Sequence, residues 1–137
     1  MRALPVLALS LALSACAGAQ PQSESIQDSL NEFADLMGSD QMVLDPVIEM
    51  YEGFANVNVE LEAGVTYILF LVAERGSGLD PDGDLLDPSG QPVAEAFEEG
   101  ERETVTFDVP ESGLHTVQVD LLGCTTACPV GVAIARL

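Results

Sequence analysis

Val65-Thr66-Tyr67-Ile68-Leu69-Phe70-Leu71-Val72-Ala73 is the stretch that decides the fold, because it is nearly all apolar and too short for a buried helix. Alternate side chains of a strand point to opposite faces, and here both faces are apolar: Tyr67, Leu69 and Leu71 on one, and Ile68, Phe70 and Val72 on the other. A strand of an antiparallel sandwich usually keeps one wet face. We therefore expect a second element to cover this strand.

A short amphipathic helix is predicted over residues 25–38. Its apolar stripe consists of Ile26, Leu30, Phe33, Leu36 and Met37. Ser25 is a suitable cap at its start, and Gly38 is suited to its end. This stripe is the spare apolar surface of the right length, so we predict that the helix docks across Ile68, Phe70 and Val72. The alternative is that this face of the strand lies open for a partner.

The remaining chain predicts short antiparallel strands. From about Ile48 onward apolar and polar residues alternate, and turns are expected at residues 62–64, 87–90 and 110–113. Residues 75–83 are expected to form a loop, followed by a short strand at Leu85 and Leu86. Short strands separated by Gly and Pro turns indicate a mainly β domain over residues 48–137, a sandwich or a barrel, and not βαβ units.

The beginning of the chain has the layout of a secretory signal. Arg2 precedes an apolar run of about eleven residues, which is shorter than the roughly 20 that span a membrane. Leu13-Ser14-Ala15-Cys16 resembles the bacterial lipobox, where cleavage precedes a lipid-modified cysteine. The resemblance implies a signal peptide at residues 1–15 and lipidation of Cys16 with diacylglycerol and palmitate.

The same resemblance implies a location. Several acyl chains hold a protein stably on a bilayer. Residues 16–24 are small and polar, which is typical of a tether between lipid and domain. Ala17, not Asp, follows the cysteine, and in the enterobacterial sorting pattern this implies the outer membrane, facing the periplasm or the cell surface.

The composition is strongly acidic, with 23 Asp and Glu residues against four Arg and a net charge of −19. Loss of residues 1–15 would remove one arginine and no acid. Nucleic-acid binding needs a basic face, and adhesion to anionic headgroups needs cations, so the charge argues against both partners. A solvated acidic surface and a set of acids gathered to hold cations remain alternative explanations.

Two cysteines remain when Cys16 is assigned to lipid. Cys124 and Cys128 flank a three-residue loop, and an exported chain with two thiols is expected to oxidise them. Zinc would need more soft ligands than one histidine supplies, and a redox motif needs two intervening residues. We predict a disulfide that closes a β-hairpin.

Four aspartates, Asp80, Asp82, Asp84 and Asp87, crowd one expected loop, and carboxylate oxygens on a loop suit Ca²⁺. The spacing begins like an EF-hand but has Leu85 where Gly is needed and Gln91 where Glu belongs. A candidate calcium site and a solvated acidic turn are the two alternatives. No cofactor is expected to be required.

Three stretches together resemble the bacterial pre-peptidase C-terminal domain. They are residues 59–67, residues 85–94 and residues 105–113, in the order of that family. The resemblance covers about residues 50–137 and implies a small jelly-roll-like antiparallel β-sandwich. Such domains accompany exported enzymes, and related ones bind collagen or calcium. Here no protease is attached, and no binding residue of the family can be transferred.

Catalysis is not expected. The sequence has a single histidine, His115, which lies in an alternating strand in phase with Val117 and Val119, and it has no lysine. The expected function is therefore an envelope lipoprotein that displays a non-catalytic binding or adaptor domain for a protein or polysaccharide partner. The alternative is a structural envelope lipoprotein with a calcium-stabilised acidic loop and no specific ligand.

Overall fold

The computed structural model describes residues 22–50 and 53–137, in which one helix leads into nine strands. The expected signal peptide, the lipidated Cys16 and most of the tether lie outside the described residues. The elements are α1 Gln22–Met37, a 3₁₀ turn Ser39–Gln41, β1 Met42–Leu44, β2 Val47–Met50, β3 Phe54–Leu61, β4 Thr66–Ala73, β5 Asp80–Leu86, β6 Pro92–Ala96, β7 Arg102–Asp108, β8 Gly113–Leu122 and β9 Cys128–Arg136.

The strands form two antiparallel sheets, which confirms the predicted mainly β sandwich. One sheet has the order β1-β9-β4-β7, with β2 also paired to β9, and we name it the covered sheet. The other has the order β3-β8-β5-β6, and we name it the open sheet. β1 and β2 share one edge of β9, on either side of Pro46, whose carbonyl accepts a hydrogen bond from the Val132 amide.

The main core lies between the two sheets and is made by the inward residues of each alternating strand. Tyr67, Leu69 and Leu71 of β4 are essentially fully buried there. The Tyr67 ring stacks on Phe107, and its hydroxyl accepts a hydrogen bond from the Glu62 amide. The inward residues come from the open sheet as well: Val59, Leu61, Leu85, Val117, Val119 and Leu121.

The other face of β4 is covered by α1, as predicted. A second apolar cluster joins the helix to the covered sheet, and its buried members are Ile26, Leu30, Phe33, Phe70, Val72, Ala133 and Ala135. Phe33 stacks on Phe70 with ring centroids 4.8 Å apart. The helix can approach β9 closely because Gly131 has no side chain: a Cβ there would lie 2.9 Å from Ile26 Cγ2. The alternative of an open face on β4 is therefore wrong.

Two boundaries near the start of the domain differ from the prediction. α1 begins at Gln22, so residues 22–24 of the expected tether belong to the helix and Ser25 lies within its first turn. The strand region begins at Met42 and not at residue 48, because β1 and β2 complete the edge of β9. Among the described residues, no helix is long and apolar enough to cross a membrane.

The largest difference is β5, which runs through residues 80–86 where a loop was expected up to residue 83. Asp, Gly and Pro are poor strand formers, so local sequence argues against a strand there. The pairing of β5 with β8 on one side overrides that preference. β6 pairs only with residues 83–86, so Pro81 sits where β5 has a single neighbour, the setting in which a strand tolerates proline.

Candidate functional site

The outer face of the open sheet is the candidate site, because no element of the described structure packs across it. The outward residues of β3, β8 and β5 are half-buried or exposed and mostly polar, in clean alternation with buried inward residues. Exposed apolar side chains interrupt this polar surface, and two of them are phenylalanines: Phe54 is 51% exposed and Phe97 is 57% exposed. Exposed aromatic rings on a polar sheet face are a common feature of binding surfaces.

Strand register places these residues in two rows across the sheet. Phe54 of β3 lies opposite Asp120 of β8, and Asp120 lies opposite Asp82 of β5. Phe97 directly follows β6 and borders the same concavity. In the next row are Asn56, Gln118, Asp84 and Glu95.

The rows enclose a shallow concavity of about 150 Å³, and we name this surface the acidic aromatic face. Its lining includes both phenylalanines, three aspartates and an amide: Phe54, Phe97, Asp82, Asp84, Asp120 and Gln118. The small volume is below the roughly 300–1,000 Å³ typical of sites for drug-sized molecules. The shape therefore fits a single side chain or a small polar group.

The carboxylates of this face repel one another. Burial raises the pKa of Asp82, and the neighbouring charges of Asp80, Asp120 and Asp84 raise it further. Oδ1 of Asp84 is buried and has no hydrogen-bond partner in the described part of the chain. Ion pairs in that part join Arg102 to Glu32 and Arg136 to Glu62, and neither reaches this face. The face thus holds concentrated negative charge without an internal counter-ion.

The four aspartates expected in one calcium-binding loop are not gathered there. Asp80, Asp82 and Asp84 occupy alternate positions of β5, and Asp87 lies in the following turn. Residues 22–50 and 53–137 contain no group of three His, Cys, Asp or Glu side chains arranged to hold a metal ion. The expected calcium loop is therefore wrong as a structure, and calcium binding itself stays a prediction.

Asp87 has a structural role in the turn between β5 and β6. Its Oδ1 accepts hydrogen bonds from the amides of Ser89 and Gln91 and from the Ser89 hydroxyl, at 2.7 to 2.9 Å. These bonds, led by the Ser89 hydroxyl, lower the pKa of Asp87. Such a turn is typical of Asp at a chain reversal.

Cys124 and Cys128 form the predicted disulfide, with Cα atoms 6.1 Å apart. The expected hairpin around it is wrong, because β8 belongs to the open sheet and β9 to the covered sheet. The bond therefore closes the corner at which the chain crosses from one sheet to the other.

His115 is fully buried on the inward face of β8, as its phase predicted. Its Nδ1 lies 2.9 Å from the Gly113 carbonyl, which can only accept, so Nδ1 carries the proton. Nε2 is buried without a partner among the described residues. A histidine enclosed in the core has no access to a substrate.

Two buried carboxyl groups were not predicted. Glu103 of β7 is 4% exposed and lies opposite Leu71, so its side chain points into the sandwich. Its Oε1 accepts a hydrogen bond from the Glu98 amide, while Oε2 has no partner in the described chain. Burial, with Asp82 and Asp80 nearby, raises its pKa. Burial also raises the pKa of Glu74, which lies near Glu49.

Sequence reasoning missed Phe54 and Phe97 as surface residues. Phe54 is out of phase with Val57, Val59 and Leu61, and this mismatch is the signal that could have identified it as outward. Phe97 follows Ala96, which is buried, and is outward for the same reason. That the two rings flank Asp82 and Asp120 depends on strand register, which single strands do not reveal.

Comparisons with known proteins support the fold. No protein-family model matches the chain, and no curated protein does. A solved structure of the pre-peptidase C-terminal domain of a collagenase from Bacillus anthracis is similar with a TM-score of 0.54 and 11% identity, covering 68% of this chain and 89% of that one. The likeness shows that this chain shares that fold.

A second solved structure has a lower similarity. It is PliG of Aeromonas hydrophila, a periplasmic lysozyme inhibitor of g-type lysozyme. The TM-score is 0.43 and the identity 14%, with 69% of this chain and 83% of that one covered. At that TM-score the resemblance adds nothing to the assignment of the fold.

Proposed function

We propose that this chain is a lipid-anchored lipoprotein of the bacterial envelope. Its non-catalytic β-sandwich binds a partner through the acidic aromatic face. The observation that carries the proposal is the contrast between the two outer faces. The covered sheet buries its outer apolar residues under α1, whereas the open sheet leaves Phe54 and Phe97 about half exposed. Exposed aromatic rings are unfavourable in water and useful at an interface.

The anchor is supported by the sequence at Leu13-Ser14-Ala15-Cys16 and by the apolar run before it. A disulfide between Cys124 and Cys128 suits an oxidising compartment outside the cytosol. The non-catalytic function is supported by the enclosure of His115 in the core.

Site-specific crosslinking in living cells tests the binding face. A photoreactive residue replaces Asn56, which is exposed on the edge strand β3 beside Gln118 of the concavity, and a matched variant carries it at Glu111, which is exposed in the β7–β8 turn. We expect a discrete adduct from position 56 and none from position 111. Digestion of the adduct identifies the class of partner: a protease would degrade a protein adduct, and a polysaccharide hydrolase would degrade a glycan adduct. Absence of an adduct at position 56, or equal adducts at both positions, would overturn the binding proposal.

The anchor is tested by Cys16→Ser, because serine has no thiol to accept diacylglycerol. The variant should leave the membrane fraction or accumulate as uncleaved precursor, and metabolic labelling with a fatty acid should be lost. Mature protein retained in the membrane at the wild-type level would show that the lipobox resemblance is misleading. Cys124→Ser with Cys128→Ser serves as the control, since it removes the other two cysteines without changing the lipobox and leaves no unpaired thiol.

A structural lipoprotein stabilised by calcium is the second candidate function. It is favoured by one observation, the mutual repulsion of Asp80, Asp82, Asp84 and Asp120, which a divalent ion would relieve. Under that function, millimolar CaCl₂ should raise the melting temperature by several degrees more than NaCl of equal ionic strength. Equal shifts in the two salts would indicate general screening and remove this candidate.

A further inference from the structure

The chemistry of the acidic aromatic face indicates the class of partner, and this inference rests on the proposed function above. Asp82 and Asp120 lie directly opposite each other on neighbouring strands, where like charges destabilise a sheet. The arrangement is costly for folding alone. A cation supplied from outside would turn this repulsion into attraction.

We propose that the partner is a polypeptide that inserts an arginine side chain between Phe54 and Phe97, onto the carboxylates of Asp82 and Asp120. Opposed side chains on adjacent strands have Cβ atoms about 4.5–5.5 Å apart, which is within reach of the several N–H donors of one guanidinium group. The concavity of about 150 Å³ fits the end of one side chain.

The aromatic and amide groups of the face complete the fit. The planar guanidinium group stacks on aromatic rings, and both phenylalanines border the concavity. Asp84, in the next row, lines the same concavity and adds its negative charge to the attraction for the guanidinium group. Asn56 and Gln118 in the same row can bind the main chain of the partner beside the arginine.

A neutral glycan fits the face less well. Its hydroxyl groups could bind the carboxylates, but the negative charges of Asp82, Asp84 and Asp120 would be partly desolvated without being neutralised. The chain as a whole carries a net charge of −19, which steers cationic partners toward it. The charge complementarity therefore favours a basic polypeptide.

Binding to a fluorescent peptide of alternating glycine and arginine tests the inference, with the full mature chain in detergent. The matched probe has citrulline in place of arginine, which keeps the shape and removes the charge. A third probe is a neutral oligosaccharide of N-acetylglucosamine. We expect saturable binding of the arginine peptide alone, measured by fluorescence anisotropy at physiological ionic strength, because salt screens weak surface attraction.

Two pairs of variants separate a site from general charge attraction. Asp82→Asn with Asp120→Asn should weaken binding of the arginine peptide at least about tenfold, since two charge-assisted hydrogen bonds are lost. Asp28→Asn with Asp35→Asn removes the same charge from exposed positions of α1 and should change affinity less than about twofold. Phe54→Ala with Phe97→Ala should also weaken binding, whereas Leu36→Ala, at a site 81% exposed, should not.

Two outcomes of these measurements would contradict an arginine-binding site. Equal losses in the two aspartate pairs would overturn the inference in favour of non-specific attraction. Binding of the oligosaccharide without the arginine peptide would overturn it in favour of a glycan. In both cases a crosslink at position 56 would leave the proposed binding function standing. The asparagine variants should fold, because they relieve repulsion, and measurement of their melting temperatures would test this.

Discussion

The two outer faces of this sandwich differ in burial, although both belong to sheets of similar size: α1 covers one, and the other is exposed. On the covered sheet, outward Phe70 and Val72 are almost fully buried by α1. On the open sheet, the corresponding surface carries aspartates and two exposed rings, and no element within residues 22–50 and 53–137 packs across them. The comparison teaches that one apolar face is used for stability, and that the other keeps exposed groups that folding does not need.

The comparison predicts very different costs for two phenylalanines. Phe33→Ala should destabilise the protein by about 3 kcal/mol or more, because Phe33 is 7% exposed and stacks on Phe70. Phe54→Ala should change stability by less than about 0.5 kcal/mol, as for most surface positions. Chemical denaturation of both variants measures the difference. Equal costs would erase the distinction between the faces.

Gly131→Ala should be the next largest effect, about 2 kcal/mol, since overpacking a close contact forces its neighbours apart. A Cβ at Gly131 would lie 2.6 Å from Val72 Cγ1, under the helix. At Gly83 a Cβ would lie 2.7 Å from Leu71 Cδ1, in the main core. Both variants should lose stability, but hydrogen exchange should accelerate in α1 only for Gly131→Ala. Unchanged exchange in α1 would mean that the helix docks more loosely than the contacts indicate.

Loss of the disulfide should cost about 2 kcal/mol, because the loop that it closes is short. Cys124→Ser with Cys128→Ser removes the bond at the corner between the two sheets. Hydrogen exchange should increase at the end of β8 and the start of β9, and not in α1. Intact-mass analysis after alkylation should find neither thiol free in the exported protein, and two alkylated cysteines would refute the pairing in cells.

The smallest expected effect concerns Glu103, which points from the covered sheet toward the acids of the open sheet. Its pKa is raised, so the folded state favours the neutral form, and stability should increase as pH falls from 7 toward about 4.5. Glu103→Gln should raise the melting temperature at pH 7 by a few degrees, the shift that about 1 kcal/mol causes in a domain of this size.

Two other carboxyl groups provide a control for the predicted pH dependence of stability. Asp87 and Glu101 have lowered pKa values, mainly through hydrogen bonds to their carboxylates, so their contribution is lost only at lower pH. Because Glu103 itself becomes protonated as pH falls, the gain from Glu103→Gln should shrink as pH approaches about 4.5. Destabilisation below about pH 4, where Asp87 and Glu101 become protonated, should be the same in both proteins. A gain that is independent of pH would show that charge at Glu103 is not its cause.

The sequence predicted the features that depend on periodicity. Both faces of Val65–Ala73 are apolar, so the outer face needed a covering element. The apolar stripe of Ile26, Leu30 and Phe33 was the available surface, and the docking of α1 could therefore be predicted. The disulfide was predicted from the two cysteines that remain after Cys16 is assigned to lipid and from the expected export of the chain. The docking of α1 was predictable because burial of apolar area is the dominant favourable term in folding.

The features that depend on register and long-range pairing could not be predicted. The stretch from Asp80 to Asp84 has loop composition and becomes a strand because β8 pairs with it. The row that joins Phe54, Asp120 and Asp82 exists only once three strands are aligned. The acids were visible in the sequence, but their grouping with aromatic rings was a property of the assembled sheet.

The position of α1 places the start of the described domain and the acidic aromatic face on opposite sides of the molecule. The helix is the first described element and packs on the outer face of the covered sheet. The open sheet lies beyond the core, with about 10 Å between facing sheets. An attachment through the N-terminal side of α1, such as the lipid proposed above, would therefore join the sandwich on the side away from Phe54 and Phe97.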